Sequence, residues 1–205
     1  MSLKRLQDGR VKDTLWQRFK SWYLARRIRK GKLPRGRVMN SKEVQSAIQD
    51  SLRGCMTEIW GILSARVIRI GEKPLDLGVI SVKKVTTAFR DYIVDSLQNS
   101  TTSPLSNFKY HACGTGTTAE ANTQTALVTE VGSRQSGTQI EGATANIYKT
   151  VATITPGGTY AITEHGIFSA NSAGTLMDRS LFSAINVSPS DSIEFTYECT
   201  FNAEA

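Results

Sequence analysis

Histidine is scarce in this chain, with two residues, and cysteine nearly so, with three. Cys55, Cys113 and Cys199 are odd in number, lie far apart and form no C-x-x-C pair. That excludes a disulfide framework and the usual spaced zinc ligands, and predicts buried, reduced thiols. No apolar run reaches the roughly eighteen residues that read as a membrane-spanning helix, so no membrane partner is expected. Lys4, Arg5 and Arg10 are followed by no apolar core, which argues against a secretory leader. The nucleophile elbow Gly-x-Ser-x-Gly is missing too. Gly114-Thr-Gly-Thr-Thr lacks the Gly-Lys-Ser/Thr ending of a phosphate loop and the third glycine of a dinucleotide fingerprint, so it reads as a structural turn. No cofactor or metal is expected.

What the chain does have is charge, unevenly placed. The net charge of +7 divides into +12 for residues 1–42, zero for 43–105 and −5 for 106–205. A cationic arm on an acidic body suits an acidic partner for the arm, and permits head-to-tail contact between copies.

The arm, residues 1–40, carries a predicted amphipathic helix over 11–30. Val11, Leu15, Trp16, Phe19, Trp22 and Tyr23 form one apolar stripe, and Lys12, Arg18, Lys20, Arg27 and Lys30 oppose it. So many aromatic rings on one short helix must dock on something. Three readings stand. The stripe packs on the next helix of the same chain and leaves a solvated basic face. Or Trp16, Phe19, Trp22 and Tyr23 anchor in a neighbouring protein, with arginines at the rim. Or Arg26, Arg27, Arg29, Lys30, Lys32, Arg35 and Arg37 neutralise the phosphates of packaged DNA without reading bases.

A break around Pro34 and Gly36 leads to a connecting region, 41–105. Ser41 reads as an N-cap, and Val44, Ile48, Leu52, Cys55, Ile59 and Leu63 predict a helix over 41–64. Residues 67–70 and 79–82 predict two strands about the turn at 71–74, and 86–98 a short helix. Asn99 to Ser106 reads as a linker. Beyond it, Ile193, Phe195, Tyr197, Cys199 and Phe201 alternate with Glu194, Thr196, Glu198 and Thr200, the pattern of a half-buried antiparallel strand. Strands are also predicted at 108–112, 146–154, 159–169 and 179–187, separated by Gly114-Thr-Gly116, Pro156-Gly-Gly158, Asn171–Gly174 and Pro189-Ser-Asp191. The fold class expected is therefore α+β: a helical arm followed by an antiparallel, jelly-roll-like β-sandwich over 106–205.

The same half of the chain carries a set of motifs: Phe108-Lys-Tyr-His111, Gly114-Thr-Gly-Thr-Thr-Ala119-Glu120, Thr125-Ala-Leu-Val-Thr-Glu130, Asn146-Ile-Tyr-Lys-Thr-Val151, Ile162-Thr-Glu-His-Gly-Ile-Phe168, Gly174-Thr-Leu-Met-Asp-Arg-Ser-Leu-Phe182 and Asp191-Ser-Ile-Glu-Phe-Thr-Tyr197. In combination it resembles a family of β-sandwich virion proteins of tailed bacteriophages, of the capsid-decoration or tail-associated kind. The resemblance implies a non-enzymatic structural protein, assembled into the virion in the host cytoplasm. Such a protein forms a homo-oligomer, a trimer or ring, and attaches to the major capsid protein or to connector and tail proteins.

Chemistry-bearing residues are few. His111 and Cys113, two apart, share a strand face and could pair as base and nucleophile, or recruit a metal with Glu164 and His165; satisfied core or turn residues are the simpler reading. Glu164, Asp178 and Arg179, bracketed by Ile162, Ile167, Leu176 and Leu181, predict buried ion pairs within the chain or between subunits. Glu194 and Glu198 share a strand face, but one that reads as exposed, a poor setting for glycoside hydrolysis.

Overall fold

A computed structural model describes Asn40, Lys42, Val44 and residues 59–201. The arm, with Trp16, Phe19, Trp22, Tyr23, Arg26, Arg27, Arg29, Lys30, Arg35 and Arg37, lies outside the described residues, as does most of the helix expected over 41–64. The described chain runs β1 (Ile59–Ile68), β2 (Leu75–Lys84), α1 (Thr87–Gln98), a 3-10 turn (Leu105–Asn107), β3 (Tyr110–Gly114), β4 (Glu130–Ser136), β5 (Thr138–Glu141), β6 (Ile147–Ile154), β7 (Tyr160–Phe168), β8 (Leu176–Val187) and β9 (Ser192–Phe201). These strands form two antiparallel sheets. The first has the order β2-β1-β9-β6-β5 and the second β4-β3-β7-β8. Facing each other, they make a β-sandwich.

β9 is the spine of the first sheet. Its alternation places Ile193, Phe195, Tyr197 and Cys199 in the core between the sheets, where they meet Leu63, Ala65 and Val67 of β1 and Ile162 and Ile167 of β7. Helix α1 closes one flank: Phe89 and Tyr92 each approach Phe108 edge-on, with ring centroids 4.8 Å apart. Thr86 sets where that helix starts. Its Oγ1 accepts from the Phe89 amide at 3.1 Å and donates to the carbonyl of Leu176, while its own amide donates to Met177 at 2.9 Å. One side chain thus caps α1 and ties it to β8. Thr86→Ala is expected to cost about 1–2 kcal/mol, read as a shifted urea midpoint with an unchanged slope.

Two expectations are corrected, and two strands are added to them. Residues 59–64 are strand, not the end of a helix. β1 is buried on both faces over most of its length, and Ile59 and Leu63, four apart, share a face in a strand as they do in a helix. Residue 105 is no boundary, because β1 pairs along its whole length with β9, from Ile59↔Phe201 to Ile68↔Ser192. The hairpin 59–84 is part of the sandwich. Finally, β4 and β5 went unpredicted. They lie at sheet edges with mostly exposed residues, so neither alternates.

Candidate functional site

The second sheet has two polar faces, and neighbouring residues on β7 supply them. Glu164 points outward and His165 inward, because successive side chains of a strand take opposite faces.

On the outer face, Arg179 Nε donates to Glu164 Oε2 at 2.7 Å, with both side chains essentially removed from water. The same carboxylate accepts three backbone amides from the loop 115–129: Gly116 at 3.0 Å and Thr129 at 2.7 Å on Oε1, and Val128 at 3.1 Å on Oε2. Burial opposes the charge on Glu164. The amides of Thr129 and Val128, with the Arg179 guanidinium, outweigh it and hold the carboxyl below its ordinary range. Arg179 Nη1 in turn donates to the Thr118 carbonyl at 3.0 Å and to Gln124 Oε1 at 3.2 Å. Glu120 accepts from the Leu181 amide and pairs with Lys83, and Leu127 packs against Ala112, Phe168 and Leu176.

The effect is to clamp a loop with no regular structure onto the sheet from beneath. Its upper surface, Thr117, Thr118, Ala119, Ala121, Asn122, Thr123, Thr125, Ala126 and Val128, is exposed and uncharged. Gly116 is required by this close approach: a Cβ there would collide with Glu164 and with Val128. Gly116→Ala is expected to loosen the loop, seen as faster amide exchange over 115–129 with the exchange of β9 unchanged. Of the Gly-Thr-Gly amides, that of Gly116 therefore serves a carboxylate of the chain itself, and that of Thr115 donates to the Thr129 carbonyl at 2.9 Å.

On the inner face lies a row of buried polar groups. His111 Nδ1 is 3.0 Å from His165 Nε2, and His111 Nε2 is 3.1 Å from Thr150 Oγ1. His165 also packs on the Phe195 ring, at a centroid distance of 4.5 Å. Burial lowers the His111 imidazole to about 3 and, with His111 beside it, His165 well below the usual value, so both rings are neutral. Next along, Ser180 donates to Asp178 Oδ1 at 2.7 Å. Asp178 Oδ2 and the Tyr197 hydroxyl come together over Gly61, where a side chain would leave them no room. Burial pushes the Asp178 carboxyl up to about 7, against the Ser180 bond that favours its charge.

The sequence-derived candidates sort accordingly. Glu164 and Arg179 are engaged with each other inside one chain, not across a subunit boundary. Asp178, beside Arg179 in sequence, lies on the opposite face of β8 and joins the inner row. His111 and Cys113 do share the inner face, but His111 bonds His165 and Thr150. Burial, with Glu130 and Glu164 nearby, drives the Cys113 thiol up to about 12, which leaves no thiolate at neutral pH. Glu164 faces away from both histidines, and among the described residues no three potential ligands converge on a metal position. Glu198 is buried, within 3.9 Å of Lys149, which corrects the exposed face expected there, and Glu194 pairs with Arg66 at 2.7 Å.

The sequence reading missed the Arg134 lock. Arg134 holds Glu130 in a two-pronged bond at 2.8 and 3.0 Å, covers the Phe168 ring, and donates to Ala170 at 3.1 Å. The i,i+4 charge pair was visible, but only strand pairing reveals that the arginine reaches the turn after β7. Among the described residues no helix is long and apolar enough to cross a membrane. Compared with protein-family models, curated proteins and solved structures, the chain matches none.

Proposed function

We propose that the protein is a non-enzymatic structural component of a tailed-phage virion: a decoration or cement protein that oligomerises and bridges capsomers of the shell. The observation that carries this reading is the clamped loop 115–129. Its amides and carbonyls are fixed from below by Glu164 and Arg179, while its upper surface is small and uncharged. A surface ordered in advance loses little entropy on association, which favours docking of proteins over turnover of a substrate. The cationic stretch at 1–42 adds a second attachment point to an acidic neighbour. Contacts of this kind stabilise a shell by mass action, each bound copy favouring the assembled state.

The jelly-roll part of the reading extends to the two facing antiparallel sheets. The strands within them run as the hairpins β1–β2, β5–β6 and β7–β8, with β3 and β4 joined by the clamped loop. A neck or tail adaptor, or a fibre-attachment module, would use the same two surfaces.

The test is co-sedimentation of the full chain with empty capsids, beside Thr123→Arg, which sets a charge on the loop without touching the clamp. The wild-type chain is expected to pellet with capsids and the variant to remain in the supernatant. Equal supernatant fractions for both would overturn the decoration reading. A second reading, DNA binding during packaging, is favoured by the 14 Lys/Arg among residues 1–42. It predicts a gel shift of duplex DNA that weakens steeply with salt and is unaffected by Thr123→Arg.

A further inference from the structure

The outer face of the first sheet is buried at one end only. Trp60 and Ile62 of β1, Val82 of β2, Ile147 of β6, and Thr200 and Glu198 of β9 are all buried there. Register places them side by side: Trp60 opposite Lys84 and Thr200, Ile62 opposite Val82 and Glu198, and Ile147 opposite Thr200. None of the four apolar side chains belongs to the core between the sheets. At the other end of the same face Arg66, Asp76 and Thr153 are exposed. The covered end is where β1 begins, next to residues 45–58 in the chain.

We propose that this face is the seat of the chain's own segment 41–58, so that the body has three layers. Four observations point to that occupant. Val44, Ile48, Leu52 and Cys55 form an apolar stripe at helical spacing, matching an apolar patch. Val44 is fully buried while Lys42 beside it is exposed, so the one end of the segment that is described already has an inner and an outer side. Its amide bonds the Asn40 carbonyl at 3.3 Å, the four-residue step of a helix. The reach also fits: residues 45–58 as helix span about 21 Å, and the strands β2, β1, β9 and β6 about 15 Å across. The seat links the cationic arm to the body through a packed layer, which fixes where the arm leaves the sandwich.

The full chain tests this without truncation. Cys55 lies on the stripe, whereas Cys113 and Cys199 are buried free thiols in the core. With the segment seated, Cys55 reacts with a thiol reagent at least tenfold more slowly in the native protein than in urea. A Cys55 that reacts at the unfolded rate in the native chain overturns the proposal. In a chain carrying Trp16→Phe and Trp22→Phe, Trp60 is the sole tryptophan. Ile48→Asp with Leu52→Asp is then expected to shift its emission to the red and raise acrylamide quenching several-fold, while Ser46→Asp on the opposite side of the segment changes neither. Unchanged quenching in the double variant, or quenching of the parent that rises on dilution, would assign the face to a second copy instead.

Discussion

Arg179→Met is expected to lower the stability of the fold by about 3–5 kcal/mol, the usual cost of removing one partner from a buried ion pair. The reason is less the lost attraction than what stays behind. Glu164 keeps its charge in a place water does not reach, and the Thr118 carbonyl and Gln124 lose their shared donor. Glu164→Leu should cost at least as much, since the amides of Gly116, Val128 and Thr129 lose their acceptor and Arg179 is left buried and charged. The double replacement should be less damaging than the sum of the singles, because neither orphaned charge remains. Guanidinium denaturation of the three variants decides the matter. A loss under about 1 kcal/mol for Arg179→Met, within the range of exposed pairs, would show that water reaches the clamp.

The second large effect is on pH. In the folded chain His111 titrates at about 3, against 6.5 for the free side chain. Between those values the unfolded chain binds more protons than the folded one, so this contribution to stability is complete above pH 6.5 and is lost as pH falls toward 3. At about 1.4 kcal/mol per pH unit, the loss for His111 alone approaches about 5 kcal/mol, and His165 acts in the same direction. Asp178 has the opposite sign. Its folded value of about 7 lies above the ordinary 3.8, so its contribution is present below pH 3.8 and disappears as pH rises through 7. The three groups therefore partly cancel between pH 4 and 6.5, and the steep fall is expected below pH 4. Asp178→Asn isolates the carboxyl. It keeps an acceptor for Ser180 and removes the charge, so it should gain about 2–4 kcal/mol at pH 8 and nothing at pH 4. Chemical denaturation at those two pH values measures both numbers. A destabilised Asp178→Asn at pH 8 would mean that the charge is stabilised in the folded chain.

Much of the fold could be read locally. The β1–β2 turn, helix α1 and β9 follow from residues within a dozen positions of one another: Gly-Glu-Lys-Pro at 71–74, Thr86 with Phe89 and Tyr92, and the strict alternation from Ile193 to Phe201. The burial of Glu164, Asp178 and Arg179 was also legible, because charges set among Ile162, Ile167, Leu176 and Leu181 have nowhere else to go. Their partners were not. Asp178 and Arg179 are adjacent, and only the pleat sends one to the histidine row and the other to the loop. The edge strands β4 and β5 escaped notice because edge residues lack the one-sided burial that writes a period into sequence. β1 was misread for the converse reason, since a strand covered on both faces has no alternation to show.

By itself, then, the sequence determined the cationic stretch, the buried free thiols of Cys113 and Cys199 and the strand-rich second half, all of which depend on composition or on a repeat a few residues long. Tertiary structure alone decided that β1 lies against β9, that His111 meets His165, and that Glu164 closes on the loop 115–129 as well as on Arg179. These contacts join residues distant along the chain, and which of them meet is fixed by the register of whole strands and by the shared core. No short stretch of residues carries that information.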